Sequence, residues 1–402
     1  MRRRRLPFAV IAGMMLLAAG ACSSGSSASG GGSAAPVSTL KGPPVLLGVM
    51  APSQSSAVTA EPWIPQAAKV GAAAVNSAGG VDGRPVQIDY CDDHGTAQGG
   101  AVCAQKLLSQ DKVLMMAGDD GTQEPSLIPV LSTANTISFG SMGASPQSLE
   151  SPRVFVIDPD EAEYWVMPQM FPPATHKVVY LPEESALAQQ AAKANTAYLP
   201  KGVTAAPPVT IPSTATSFQS YCLQIKASGA DTVIPAMNVA QVPTLVQSCY
   251  QVGLTKVTWA FSSFEITPQL VQTVSQLNIP NIAVLGLGGG SVEQQYAADV
   301  AKYGSSVGGV SDTISESSIN SWLAVRLLPQ VVKGAGSLDP AKIYAWLNKQ
   351  TAFPTMGATA PIDFAKSPIA QIPRLVNLSG TKGEITGGKL TILNPAPYSL
   401  HI

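Results

Sequence analysis

The residues of this chain that could do covalent or ionic chemistry fall into a few small groups. Cys91, Cys103, Cys222 and Cys249 form an even set, and Cys22 stands apart near the N-terminus. Four thiols could bind zinc, but close C-x-x-C pairs are missing, so paired disulfides are the better reading. Asp92-Asp93-His94 offers acid, base or metal-ligand atoms. Neighbouring residues on a strand point to opposite faces, however, and the trio reads as a turn. Asp119-Asp120 is a second acid pair, placed to attract a cation and repel an anion. The run Gly286 to Gly290 could cradle a phosphate, but it lacks the Gly-Lys-Ser/Thr ending and reads as a flexible crossover. His94, His176 and His401 are the only histidines, and no nucleophile elbow accompanies them. A Ser-His-Asp hydrolase therefore lacks its parts.

The elements that must position these groups alternate between strand and helix. Strands are expected at Val45 to Met50, Val86 to Tyr90, Val113 to Ala117 and Thr136 to Phe139, with helices at Trp63 to Ala78, Gly100 to Ser109 and Ser126 to Ala134 between them. A second series follows Pro159. It has helices at Glu161 to Phe171, Ala186 to Tyr198, Ser217 to Ser228 and Val242 to Val252. Its strands are Lys177 to Leu181, Val209 to Ile211, Thr232 to Ala236 and Val257 to Ala260. Two such series mean two α/β lobes, each a parallel sheet covered by helices on both faces. Helices Ile319 to Val332 and Pro340 to Lys349 come later, and Arg374 to Leu393 reads as antiparallel strands around a Lys382-Gly383 turn. Four cysteines allow three pairings. Cys91 ends a strand and Cys103 lies in the helix that follows, which favours Cys91–Cys103 and, with it, Cys222–Cys249 between two consecutive helices.

The chain has 402 residues, 45% of them apolar and 12% charged, with Lys+Arg 24 against Asp+Glu 25. Four of the bases are Arg2 to Arg5, and no other Lys/Arg cluster exists, so a nucleic-acid surface is excluded. Those arginines precede the apolar run Leu6 to Ala19, which is too short to span a membrane and has the build of an export signal over residues 1–21. Ala19-Gly20-Ala21-Cys22 resembles the lipobox of bacterial lipoproteins, with Cys22 as the lipidated residue. Residues 22–43 are a Ser/Gly-rich tether.

Ala73-Ala74-Val75-Asn76-Ser77-Ala78-Gly79-Gly80-Val81-Asp82-Gly83-Arg84-Pro85-Val86 followed by Asp92-Asp93 resembles the type I extracytoplasmic solute-binding proteins, the Leu/Ile/Val-binding family of bacterial ABC importers. Shorter likenesses follow in order at Ala104-Gln105-Lys106-Leu107, Ile137-Ser138-Phe139-Gly140, Ser228-Gly229-Ala230-Asp231 and Gln251-Val252-Gly253-Leu254. The resemblance implies two Rossmann-like lobes joined by a three-strand hinge, residues 44–158 plus 284–358 in one and 159–283 plus 359–402 in the other. It implies a ligand held between them and no catalysis. On this likeness the ligand contacts would be Ser55, Asp120, Gly121, Thr122, Ser141 and Met142 from the first lobe, with Asn238, Ser263 and Glu265 from the second. Trp63, Tyr164 and Trp165 could stack on a ligand or pack as core. The expected partners are a small polar molecule, such as an amino acid or a related compound, and an ABC permease. Membrane contact would be through the lipid anchor alone, with the chain a monomer carrying no cofactor and no metal. A sensor using the same fold to signal is the alternative.

Overall fold

The computed structural model describes residues 40–400 apart from 56–59, 120, 159, 288–289, 314, 370–371 and 395–396. The export signal, Cys22 and most of the tether lie outside the described residues. Five strands form the first sheet: β1 Val45–Ala51, β2 Val86–Asp92, β3 Met115–Ala117, β4 Ser138–Ser141 and β5 Val154–Val156. All are parallel, in the order β2-β1-β3-β4-β5. The order reverses beside β1, which opens a crevice outside the carboxyl ends of the strands. The second sheet has parallel strands β6 Lys177–Pro182, β7 Thr204–Ala205, β8 Thr232–Ala236, β9 Thr258–Ser262 and β10 Asn281–Leu285. Its edge is closed by antiparallel β11 Ser379–Thr386 and β12 Lys389–Ile392.

Parallel strands covered on both faces must be apolar on both faces. Leu47, Val49, Phe139 and Phe155 pack with Trp322 and Leu328 of the helix Glu316–Ala335, while Met50 and Met116 face Leu107 and Leu127 on the other side. In the second lobe, Val179, Val233, Trp259 and Phe261 face the helices that carry the Cys222–Cys249 disulfide, and Val178, Ile234 and Val284 face Tyr164 and Met167. Cys91–Cys103 is the other disulfide, joining the end of β2 to the helix Ala97–Ala104. Both pairings are those favoured by the sequence.

The chain passes between the sheets three times: after β5, after β10 and before β11. The passages are bonded together. Asn377 Nδ2 donates to the carbonyl of Ile157 at 3.0 Å, and Asn377 Oδ1 accepts from the Ser379 amide at 3.0 Å. Two boundaries differ from the sequence reading. Strand β10 lies wholly in the second sheet, so the second passage is at Gly286. Residues 359–369 and 372–376 stay with the first lobe, because Ile362, Phe364 and Val376 enter its core. Arg374 fastens this segment: its Nε donates to the Ser151 carbonyl at 3.1 Å and its guanidinium lies 4.4 Å from the Phe155 ring centroid. Burial lowers the Arg374 pKa to about 10.

The helix Glu316–Ala335 lies unusually close to the first sheet. A Cβ on Gly118 (φ +65°) would stand 2.4 Å from Ser321 Cα, and one on Gly140 (φ +77°) 2.5 Å from Ala324 Cβ. Neither position can carry a side chain without moving the helix. Gly118→Ala should therefore lower the unfolding free energy by about 2–3 kcal/mol. Gly79→Ala, at a positive φ in open space, should cost about 1 kcal/mol. Urea denaturation of both variants checks the difference; equal losses would mean that the helix does not press on Gly118.

Candidate functional site

Between the two sheets lies a cleft of about 270 Å³. Strand ends supply most of its wall, because side chains just beyond the carboxyl ends of parallel strands project into the crevice. From the first lobe come Glu61 and Trp63 beyond β1, Thr122 beyond β3 and Met142 immediately after β4. The second lobe offers Glu183 and Ser185 beyond β6, Asn238 beyond β8, and Ser263 and Phe264 beyond β9. Asp312, Ser315, Glu316 and Ser317, at the start of the helix Glu316–Ala335, form one more side. Trp63 Nε1 donates to Ser317 Oγ at 2.9 Å, which fixes the indole at the cleft wall. Tyr164 also lines the cleft, its hydroxyl 3.1 Å from Ser262 Oγ. Phe264 keeps 37% of its surface exposed, an apolar face turned to solvent without core contacts to account for it.

Of the residues expected to touch a ligand, the structure brings Thr122, Met142, Asn238 and Ser263 together at the cleft. Asp120 lies outside the described residues. The others turn elsewhere. Ser55 donates to the His94 carbonyl at 2.8 Å, and Ser141 Oγ, fully buried, accepts from the Gly143 amide at 2.9 Å. Gly121 (φ +76°) packs on the backbone of Ala144. Glu265 Oε2 accepts from the Ser262 amide at 3.0 Å in a capping box, with its carboxylate buried. Asp119 also points inward, accepting from the Gly121 amide at 3.2 Å and from Ser138 Oγ at 3.3 Å. Its charge does not face the cleft. Trp165 packs at a tilt against Tyr198, away from the site, with centroids 5.3 Å apart. The letters Gly304-Ser305-Ser306-Val307-Gly308 fit the G-x-S-x-G pattern that the sequence reading passed over. They follow a helix rather than a strand, and Ser306 donates to the Tyr303 carbonyl, so they make no nucleophile elbow.

Beneath the cleft, at the passages between lobes, sit Asp158, Glu163 and Glu316, with carboxylate oxygens within 4.8 Å of one another and all three buried. Glu163 Oε2 accepts from the Ser263 amide at 2.6 Å, and Oε1 accepts from the Gly286 amide at 2.7 Å. Glu316 Oε1 accepts from the Leu287 amide. Burial pushes the Glu163 pKa up, and burial together with the charges of Asp158 and Glu163 pushes that of Glu316 well up. Crowded carboxylates must share protons or take up a cation; three oxygens at this spacing suit either. The sequence reading started this helix at Ile319 and so missed Glu316. The usable signal was Ser315, an N-cap whose Oγ accepts from the Ser318 amide, with an acid in the first turn.

Two parallel-sheet lobes with a ligand-sized cleft at their facing strand ends define a binding protein that holds its solute between the lobes. The chain belongs to the periplasmic binding protein family, whose model matches residues 44–369. Solved structures share the fold at low identity. The branched-chain amino acid substrate-binding protein LivJ from Streptococcus pneumoniae, in complex with isoleucine, is 16% identical with a TM-score of 0.69 over 87% of this chain and 99% of that one. A solute-binding protein from R. palustris in complex with 4-hydroxybenzoate is 18% identical with a TM-score of 0.71 over 90% and 98%. The leucine-binding protein LivK from Thermotoga maritima is 15% identical with a TM-score of 0.68 over 88% and 99%. No curated protein matches the sequence.

The carboxyl cluster sets a sign for pH. With Glu163 and Glu316 raised above the usual value of 4.5, the folded chain keeps protons that the unfolded chain has released. Stability must then fall as pH rises above about 4.5, until the folded-state carboxyls have titrated. Glu316→Gln removes one titrating group and keeps its shape. Its melting temperature should exceed that of the parent at mildly alkaline pH and match it more closely near pH 5. Thermal melts across that range check this, and an unchanged slope would show that Glu316 holds no proton.

Proposed function

We propose that this chain is the solute-binding component of an ABC importer. It captures a small polar molecule, an amino acid or a related compound, between its lobes and presents the closed form to the permease. What carries this reading is the cleft itself, walled by strand ends of both lobes and by the helix Glu316–Ala335, with three chain passages as the hinge. Hinge closure around a ligand removes it from water and completes its polar contacts from two sides. Family membership supports the reading, as do the related structures holding isoleucine and 4-hydroxybenzoate.

Family membership also supports an extracytoplasmic location and a role without catalysis. No helix among the described residues is long and apolar enough to cross a membrane. Attachment would rest on lipid at Cys22, with residues 22–43 as the tether, a reading that the Arg2 to Arg5 export signal supports.

Calorimetry on the full-length chain in mild detergent, after removal of co-purified solute, tests the reading together with energy transfer between fluorophores on the two lobes. A bound small molecule should shorten the interlobe distance. Thr122→Ala from one lobe and Asn238→Ala from the other should each weaken binding by about tenfold. Binding without closure, or closure unaffected by either change, would overturn the capture mechanism.

A further inference from the structure

The buried carboxyls beneath the cleft come from both lobes and meet at the hinge. Asp158 lies on the first passage, Glu163 on the second-lobe helix Asp160–Val166, and Glu316 in the first turn of the first-lobe helix Glu316–Ala335. Glu163 and Glu316 share a hydrogen bond between their side chains, which two carboxyls can make only through a proton. Glu163 already accepts from the Ser263 amide at 2.6 Å, from the Gly286 amide at 2.7 Å and from the Ser263 hydroxyl. It is therefore the acceptor, and Glu316 carries the proton. Burial, then the charges of Asp158 and Glu163 that face it, keep Glu316 protonated well above the usual carboxyl range. Asp312, just before the helix, accepts from the Ser315 amide at 3.1 Å. Tyr296, from the neighbouring helix Gly290–Tyr303, bonds to Ser318 and is kept neutral by burial. Glu61 and Glu183 are the other acids of the cleft lining.

Ser263 and Glu316 also line the cleft, one from each lobe. With the proton in place, Ser263, Glu163 and Glu316 form one hydrogen-bonded chain across the hinge. Without it, two like charges face each other in a buried site, where water screens them poorly. Neither can turn away easily, because the Ser263 and Gly286 amides hold Glu163 and the Leu287 amide holds Glu316. The relief left to them is movement of one lobe against the other about the passages. We propose that the Glu163–Glu316 contact is a proton-operated latch: the shared proton ties the lobes together at the floor of the cleft, and its loss drives them apart and widens the cleft. The latch goes beyond solute capture and needs no solute, so it stands or falls separately from the importer reading. Its sign follows from linkage. The latch is whole below the folded-state pKa of Glu316 and opens as pH rises through it.

The test reads energy transfer between fluorophores on the two lobes of the full-length chain in mild detergent, stripped of co-purified solute, as pH is raised from about 5 to about 9. The interlobe distance should lengthen in one transition, centred well above the usual carboxyl value of 4.5. Infrared difference spectra over the same range should lose the carbonyl stretch of a protonated carboxyl with the same midpoint. Glu316→Gln, whose amide donates as the protonated acid does and never ionises, should abolish both changes. Asp158→Asn keeps the pair and removes one facing charge, so it should move the transition down by about one pH unit. That second variant decides the matter even where Glu316→Gln does not fold. A distance that ignores pH, or a transition that neither variant alters, overturns the latch. So does a distance that answers to added calcium at fixed pH but not to pH itself, which would make the cluster a cation site.

Discussion

Glu163 accepts hydrogen bonds from the amides of Ser263 and Gly286, segments at the end of β9 and at the second passage, and stands against Glu316 of the first lobe. One buried carboxylate therefore joins a cleft loop, a hinge passage and the opposite lobe. Buried charge of this kind is costly unless every acceptor is satisfied or protonated, so the local geometry is tightly determined. Gly286 shows the constraint: a Cβ there would stand 2.0 Å from Asp158 Oδ1. The passage that must bend during closure is also the one with no room for a side chain. The cleft above it inherits its shape from this arrangement, because Ser263 and Glu316 both line the ligand space and both belong to the hinge network.

The alternating pattern of strand and helix was legible because parallel sheets bury both faces and leave long apolar runs between turn residues. It failed where that contrast is weak. Strand β5, Val154–Val156, is only three residues long. In the C-terminal tail, the expected turn at Lys382-Gly383 lies inside β11. The chain instead reverses at Gly387-Gly388, whose φ values of +58° and +80° mark the hairpin. Residues 359–376 were assigned to the second lobe because sequence order gives no hint that Phe364 stacks edge-on with Phe155 at 5.3 Å. That contact joins positions far apart in the chain.

At the site, position was more legible than direction. Thr122, Met142, Asn238 and Ser263 follow strand ends, and strand ends can be read from hydrophobic pattern alone. Whether a polar side chain just past a strand faces the ligand or caps the local backbone depends on one torsion, which composition does not encode. Ser141 and Glu265 are such residues, and both satisfy nearby amides. Asp119 was taken as a charge presented to the ligand, yet its acceptors are filled by Gly121 and Ser138 from below. Two of the acids that line the cleft, Asp312 and Glu316, come from just before and at the start of a helix far along the chain, announced only by its Ser315 N-cap.

Neither lobe is a continuous stretch of sequence. The first needs the helix Glu316–Ala335 and the segment through Val376 to bury Phe139 and Phe155, and the second needs β11 and β12 to cover the edge of β10. A chain delivered N-terminus first therefore emerges with the open face of its first sheet uncovered for nearly its whole length. The first core cannot close until Val376 has emerged, nor the second until the final hairpin has arrived. Export would hand the outside of the cell a long, apolar, incompletely folded intermediate, which is the species most exposed to proteases and self-association. The Cys91–Cys103 loop is closed by neighbours in sequence, so it can form early in that interval, well before the sheet it borders is covered.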